Sequence, residues 1–255
     1  MTAYEKVLAA RAKGRPTSMS YIKHIFSDFI EMHGDRRFGD DKAIVAGVAL
    51  LNDRPVTVIG IEKGKDTKER IDRNFGSAHP EGYRKALRQM KLAEKFNRPV
   101  VCFVDTSGAF CGIQAEERGQ GQAIAENLME MMTLKVPIIS VFIGEGGSGG
   151  ALALAVADEI WVLENAIYSV ISPEGCASIL WKDATKVKEA SECLKLISDD
   201  LLRNKVVEKK FDESSGNFEE VYKKLKNEMI ITIERLSNMS KDELLNKRYE
   251  RFRKF

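Results

Sequence analysis

The chain has 255 residues, 44% of them hydrophobic and 31% charged, with a formal net charge of +2. That length and apolar content suffice for one sizeable core and at most two domains, and the near-neutral balance gives no electrostatic case for nucleic acid or an anionic membrane as the main partner. No apolar run approaches a membrane span, and Met1–Lys6 lacks the apolar stretch of a signal peptide, so a soluble cytoplasmic protein is expected.

From the N-terminus, residues 1–40 read as a helical lead-in. Tyr21, Ile22, Ile25, Phe26, Phe29 and Ile30 recur at helical spacing to make one apolar face, with a cap expected from Ser18 or Ser20. His33–Asp41, with two glycines and several acids, reads as a loop. Strands are expected over 43–51 and 56–61, joined as a β-hairpin by the turn-forming run Asn52–Pro55. Within 62–74, Lys63, Lys65, Lys68, Arg70 and Arg73 have the charge to meet phosphates. Asp66, Glu69 and Asp72 interleave with them, which favours an exposed face of mixed charge. A helix over 80–96 has Pro80 near its first position, Glu81 in its first turn and Lys95 in its last. Arg98–Val104 then returns as a strand.

That strand ends in the glycine-bearing loop 105–112, and a long helix is expected over 116–134. The unit then recurs. An apolar, β-branched strand over 136–143 runs into the turn Ile143–Ala151, five of whose nine residues are glycine, and a helix follows over 151–157. A strand over 159–163, an extended run over 168–172 and a helix from Pro173 come next. This alternation argues for an α/β fold with a parallel sheet and right-handed crossovers. Ligands of such sheets bind at the carboxyl ends of the strands, where both glycine loops fall. Past Trp181 the chain is charged and helical, with Leu194, Leu196, Ile197, Leu201 and Leu202 on candidate core faces and a break at 211–217. The amphipathic stretch 218–255, through Val221, Leu225, Met229, Ile230, Ile233 and Leu236, is assigned to packing. No linker divides the chain, so a single domain over 1–255 is expected, with 183–255 as its helical C-terminal region.

Cys102, Cys111, Cys176 and Cys193 contain no C-x-x-C pair and read as reduced thiols. With His24, His33 and His79 they give no metal-ligand spacing, and no metal is expected.

The glycine-rich turn admits several chemistries. Read as G-x-S-x-G it makes Ser148 a nucleophile, but all three histidines precede that serine, against the α/β-hydrolase order. Read as G-x-G-x-x-G from Gly144 to Gly149 it resembles a dinucleotide-binding fingerprint, with Glu164 near the spacing of a ribose-binding acid, as in an NAD(P)-binding oxidoreductase. Against this, the fingerprint lies mid-chain and its helix is short. The P-loop pattern fails, since no Lys-Ser or Lys-Thr follows the glycines. A third reading is an oxyanion hole of backbone amides at a helix start, where glycine lets an oxygen approach the main chain. The plain alternative is that the glycines serve only close strand–helix packing.

Four blocks carry a specific resemblance: Gly144–Ala153, Tyr168–Lys182, Ala115–Gln120, and Asn74–Gly76 with Pro80–Leu87. Together they resemble the α subunit of bacterial acetyl-CoA carboxylase carboxyltransferase, with matching blocks from Tyr21 to Lys182. The resemblance implies a crotonase-like (ClpP/crotonase) α/β fold of repeated ββα units with flanking N- and C-terminal helices. It also implies an α2β2 complex with a carboxyltransferase β subunit, which holds the family's zinc. That complex moves a carboxyl group from carboxybiotin, carried on a biotin carboxyl carrier protein, to acetyl-CoA, giving malonyl-CoA for fatty acid synthesis. ATP is used only by the biotin carboxylase component. By resemblance, the amides around Gly149, Gly150 and Ala151 hold the biotin ureido oxygen, with Gly146 and Gly147 beside them, and freed biotin serves as the base. The loop Gly108, Ala109, Phe110 and Gly112 walls the same pocket. A non-catalytic paralogue that scaffolds a β subunit is the alternative within the family.

The chain departs from the family pattern at Ser107 and Cys111, which replace two prolines of the wall loop and predict a less rigid loop. It is also shorter at its N-terminus than typical members, so part of the lead-in helix and its β-subunit contact is expected to be missing.

Overall fold

Residues 1–255 are described by a computed structural model. The chain opens with two short helices, α1 (Ala3–Ala10) and α2 (Ser18–Ile25). Thr2 and Glu5 cap α1 reciprocally. The expected lead-in helix stops at Ile25, and Phe29 and Ile30 belong instead to strand β1 (Ser27–Glu31). Nor do the serines cap α2: Thr17 is its N-cap, and Ser18 Oγ donates to Ile61 O at 2.6 Å. The helix ends where Ser27 begins to pair with Leu50 of the next strand, so tertiary pairing overrides the local helical spacing.

The hairpin forms as expected from β2 (Ile44–Leu51) and β3 (Arg54–Ile61). Asn52 and Asp53 take φ of 49° and 64°, the left-handed pair of a two-residue hairpin turn. Exposed α3 (Thr67–Asp72) follows, then α4 (Pro80–Lys95), β4 (Val100–Thr106), α5 (Ile113–Glu117), α6 (Gln120–Thr133) and β5 (Ile138–Gly147). The long helix expected over 116–134 is divided, because Gly119 takes φ of 79° between α5 and α6. Next come α7 (Ser148–Leu152), β6 (Glu159–Leu163), β7 (Ile167–Ser169), α8 (Pro173–Trp181), α9 (Val187–Cys193), α10 (Ser198–Arg203) and β8 (Lys209–Phe211). Two helices close the chain, α11 (Phe218–Ser237) and α12 (Lys241–Phe252), separated at Asn238–Ser240.

All strands join one eight-stranded sheet in the order β1-β2-β3-β4-β5-β6-β8, with β7 beside the far end of β5. The first three strands are antiparallel and the rest are parallel. Every residue of β4 and β5 is buried, as central parallel strands require. One apolar cluster runs from Tyr21 through Trp161 to Ile233. The break expected at 211–217 is present, but strand β8 precedes it and the stretch 218–255 is two helices rather than one.

Strand β5 does not end at Ile143. It continues through Gly144–Gly147, pairing Gly146 with Thr106 on one side and Glu145, Gly146 and Gly147 with Ile167, Tyr168 and Ser169 on the other. Half of the glycine-rich turn is therefore strand. The helix after it spans only Ser148–Leu152, and turns carry the chain through Ala153–Ala155.

Candidate active site

The two glycine loops, 40 residues apart in sequence, meet at the carboxyl ends of β4 and β5. A Cβ on Gly147 would lie 2.1 Å from Ser107 O, and one on Gly150 would lie 2.5 Å from Ala109 N and 2.8 Å from Gly108 C. No side chain fits at either position, so main chain touches main chain. Gly108 takes φ of 149° to make the approach.

The other glycines face elsewhere. Gly144 makes room for Asp105, whose Oδ1 accepts the Glu145 N–H at 2.8 Å, and Gly146 makes room for the Phe142 ring within the sheet. Gly112 lies against the Phe110 ring. Of the residues singled out in the sequence, Gly108, Ala109, Gly147 and Gly150 are brought together, Gly149 and Phe110 flank them, and Ala151 is buried beneath. Gly146 is enclosed between β4 and β7.

The donors at this junction are specific. The N–H groups of Gly149 and Gly150 fall in the first turn of α7, which has no side-chain cap. In the facing loop, Gly108 N–H donates to Thr106 Oγ1 at 3.0 Å and Phe110 N–H to Ala78 O at 3.0 Å, while Ala109 N–H has no acceptor. The free donor of one loop therefore adjoins the free donors of the other. Unpartnered amides that adjoin one another suit an oxygen carrying negative charge.

The wall loop, despite Ser107 and Cys111, is held at three points. Thr106 Oγ1 donates to Gly108 O at 2.8 Å, and Gln120 Nε2 donates to both Ala78 O and Phe110 O at 2.8 Å. The Phe110 ring stacks on His79 with centroids 4.1 Å apart. Gln120 was not visible as a functional residue, since a glutamine at a helix start carries no chemical signature. Tyr83, also missed, lies in the Pro80–Leu87 block, with its hydroxyl beside Gly150.

Ser148 is exposed, takes φ of 50° and makes no side-chain hydrogen bond, so no histidine or carboxylate activates it. His24 stacks on Tyr222, and His33 bonds Asp40 at 3.0 Å. Glu164, the candidate ribose ligand, accepts from Glu213 N–H at 3.1 Å and pairs with Lys6, tying the 211–213 segment to β6. No three His, Cys, Asp or Glu side chains gather as a metal would require.

Three cavities adjoin the junction, and one of them, of about 440 Å³, lies against the wall loop at Phe75, Ala109, Phe110 and Cys111. A second, of about 340 Å³, opens at Ser148 and Gly149 and is walled by Leu152, Tyr168, Val170, Leu201 and Val206, with Lys195 and Asn204 at its polar side. Burial pushes the Tyr168 hydroxyl up to about 12, so it stays protonated there. The third, of about 190 Å³, lies behind the strand ends and is charged. In it Lys63 pairs with Asp105 at 2.7 Å, Arg11 with Glu145 at 2.7 Å, and Arg15 with Glu213 at 2.8 Å. Arg11 thereby ties the N-terminal segment to β5, Arg15 ties it to the segment after β8, and Lys63 ties the end of β3 to β4.

A family profile described as acetyl co-enzyme A carboxylase carboxyltransferase-like matches residues 1–255. A Ruminiclostridium cellulolyticum protein named acetyl-coenzyme A carboxylase carboxyl transferase subunit alpha is 68% identical over 254 residues, covering 100% of this chain and 98% of that protein. A Natranaerobius thermophilus protein named for subunits beta/alpha is 57% identical over 257 residues, covering 99% of this chain and 42% of its own length. Among solved structures, transcarboxylase 12S superimposes with a TM-score of 0.72 at 19% identity, over 90% of this chain and 44% of that one. A Pseudomonas malonate decarboxylase hetero-tetramer with coenzyme A superimposes with a TM-score of 0.71 at 15% identity, over 91% and 92%. The structural likenesses establish the crotonase-like α/β fold.

Proposed function

The chain belongs to the acetyl co-enzyme A carboxylase carboxyltransferase family as an α subunit, and from that premise we propose that it works with a β subunit to transfer a carboxyl group from carboxybiotin to acetyl-CoA, forming malonyl-CoA. The observation that carries the site assignment is the junction of unpartnered main-chain donors, Ala109 N–H against the first turn of α7. Carboxybiotin, presented by a biotin carboxyl carrier protein, supplies the carboxyl group, and negative charge develops on the ureido oxygen as that group leaves.

Gly149, Gly150 and Ala109 offer that oxygen fixed N–H groups that need no reorganisation when the charge appears. The close approach requires glycine at 147 and 150, which supports a main-chain site over one built of side chains. Phe110 and the apolar part of the cavity at Ser148 give an uncharged ring system an apolar wall. No general base of this chain stands at the junction. In this reading the acetyl-CoA side and its enolate charge fall to the β partner, ATP is spent by a separate biotin carboxylase, and the assembly is α2β2. Relatives in which beta and alpha are one chain support the pairing, because fusion keeps the two in a fixed ratio.

The test separates the N–H from the side chain. A Cβ at Gly149 meets nothing closer than 3.6 Å, so alanine fits there, while proline at this second residue of α7 removes the N–H without breaking an intrahelical bond. In the complex co-purified with its β partner, Gly149→Ala keeps malonyl-CoA formation, while Gly149→Pro, which lacks the N–H, lowers it about 100-fold with assembly intact. Equal activity of the two variants refutes the amide assignment. Ser148→Ala retains most activity, which no attacking nucleophile would allow.

A further inference from the structure

One polar group beside the amide pair has no partner. Tyr83, in the first turn of α4, is fully buried, and its Oη makes no hydrogen bond. That oxygen lies 2.9 Å from the position a Cβ on Gly150 would take, the same position that lies 2.5 Å from Ala109 N. The hydroxyl therefore lies beside Gly150 and near Ala109 N.

The ring cannot swing away. His79 N–H donates to Asp41 Oδ2 at 2.6 Å, and Gly82 packs on the same carboxylate, where a Cβ would be 2.7 Å from Oδ2. These contacts fix the first turn of α4. Burial, with the Asp41 charge adding in the same direction, raises the phenol well above its ordinary range. Tyr83 is thus a neutral O–H donor throughout the working pH range. An unpaired hydroxyl in such surroundings disfavours the folded state, and phenylalanine would fill the same space without it. A local rule broken at a candidate site, with no gain in packing, points to use in function.

We propose that Tyr83 is a positioning residue for the anion site: its hydroxyl, beside Gly150 and Ala109, turns its proton toward the oxygen their amides hold and reinforces them as charge develops. It does not touch the substrate. It acts through the amide pair, as a fixed dipole in a low-dielectric interior. The inference rests on the amide site proposed above.

The test is Tyr83→Phe in the complex with the β partner. The expected result is a fall of about tenfold in kcat, with KM for the carboxybiotin donor unchanged and a melting temperature equal to or above wild type. An unchanged kcat overturns the inference, as does a fall in kcat accompanied by a lower melting temperature, since that marks a packing role. Tyr83→Leu, which also removes the ring, lowers both and calibrates the packing contribution. A wild-type complex that forms no malonyl-CoA removes the proposed function itself, and the two failures are thereby distinguished.

Discussion

Asp35 holds the loop before β2 through every lone pair it can use. Its Oδ1 accepts the N–H groups of Arg37 at 2.9 Å, Phe38 at 2.8 Å and Gly39 at 3.0 Å, and its Oδ2 accepts Arg84 Nε at 2.7 Å. Burial alone would raise its pKa, but the bonds from Phe38, Arg37, Arg84 and Gly39 outweigh burial and lower it from 3.8 to about 2. Because the folded value is depressed, this stabilisation is present above the unfolded value and is lost as pH falls from about 4 toward 2. Asp35→Asn should cost roughly 2 kcal/mol at pH 7, with the gap to wild type closing as pH drops through that window. Urea midpoints measured at pH 7, 4 and 3 check this, and a pH-independent gap contradicts it. At the same scale, the glycines of the turn were legible as main-chain access. Their division of labour was not, because what each one avoids comes from a distant element: Ser107, Ala109, Asp105 or Phe142.

Helix α12 is joined to the rest of the chain by two buried arginines, Arg251 through Glu208 and Val206 O, and Arg248. Arg248, fully buried, donates to Met131 O at 2.8 Å, Leu134 O at 2.7 Å and Val136 O at 3.0 Å, and it clasps both oxygens of Asp158 at 2.8 Å. It therefore caps the carboxyl end of α6 and orders the lead-in to β5. Asp158 in turn accepts the Ile138 N–H at 2.7 Å, at the first residue of that strand. Arg248→Met should destabilise by about 3–5 kcal/mol, because Asp158 and three carbonyls lose their donor. Arg248→Met combined with Asp158→Asn should recover part of that loss, and chemical denaturation measures both. Elements with strong local signals were legible: the hairpin with its Asn52-Asp53 turn, α4 starting at Pro80, α8 starting at Pro173, and β6. Strands β1 and β8 were not, since one is an edge strand with Ile30 exposed and the other has three residues, and both exist by pairing with β2 and β6. Arg248 gave no sign either, lying in a helix whose composition reads as surface.

Over the whole molecule, the ends of the chain are clamped to its middle. Arg11 reaches Glu145 and Glu174, Arg15 reaches Ile143 O and Glu213, and Arg248 reaches Asp158. We therefore expect residues 1–255 to unfold as one domain, in a single calorimetric transition whose van't Hoff and calorimetric enthalpies agree. Two resolved transitions would assign the C-terminal helices to a separate unit. The glycine junction has a consequence of another kind. Every single-base change in a glycine codon that alters the residue introduces a Cβ or a stop, and at 147 and 150 a Cβ would intrude on the backbone of residues 107–109. Because the donors are main-chain amides, no side chain at those positions can be exchanged to retune the site in small steps. Drift in specificity is therefore displaced onto the surroundings, to positions such as Ile124, Val170 and Cys111, and the junction itself is closed to stepwise change.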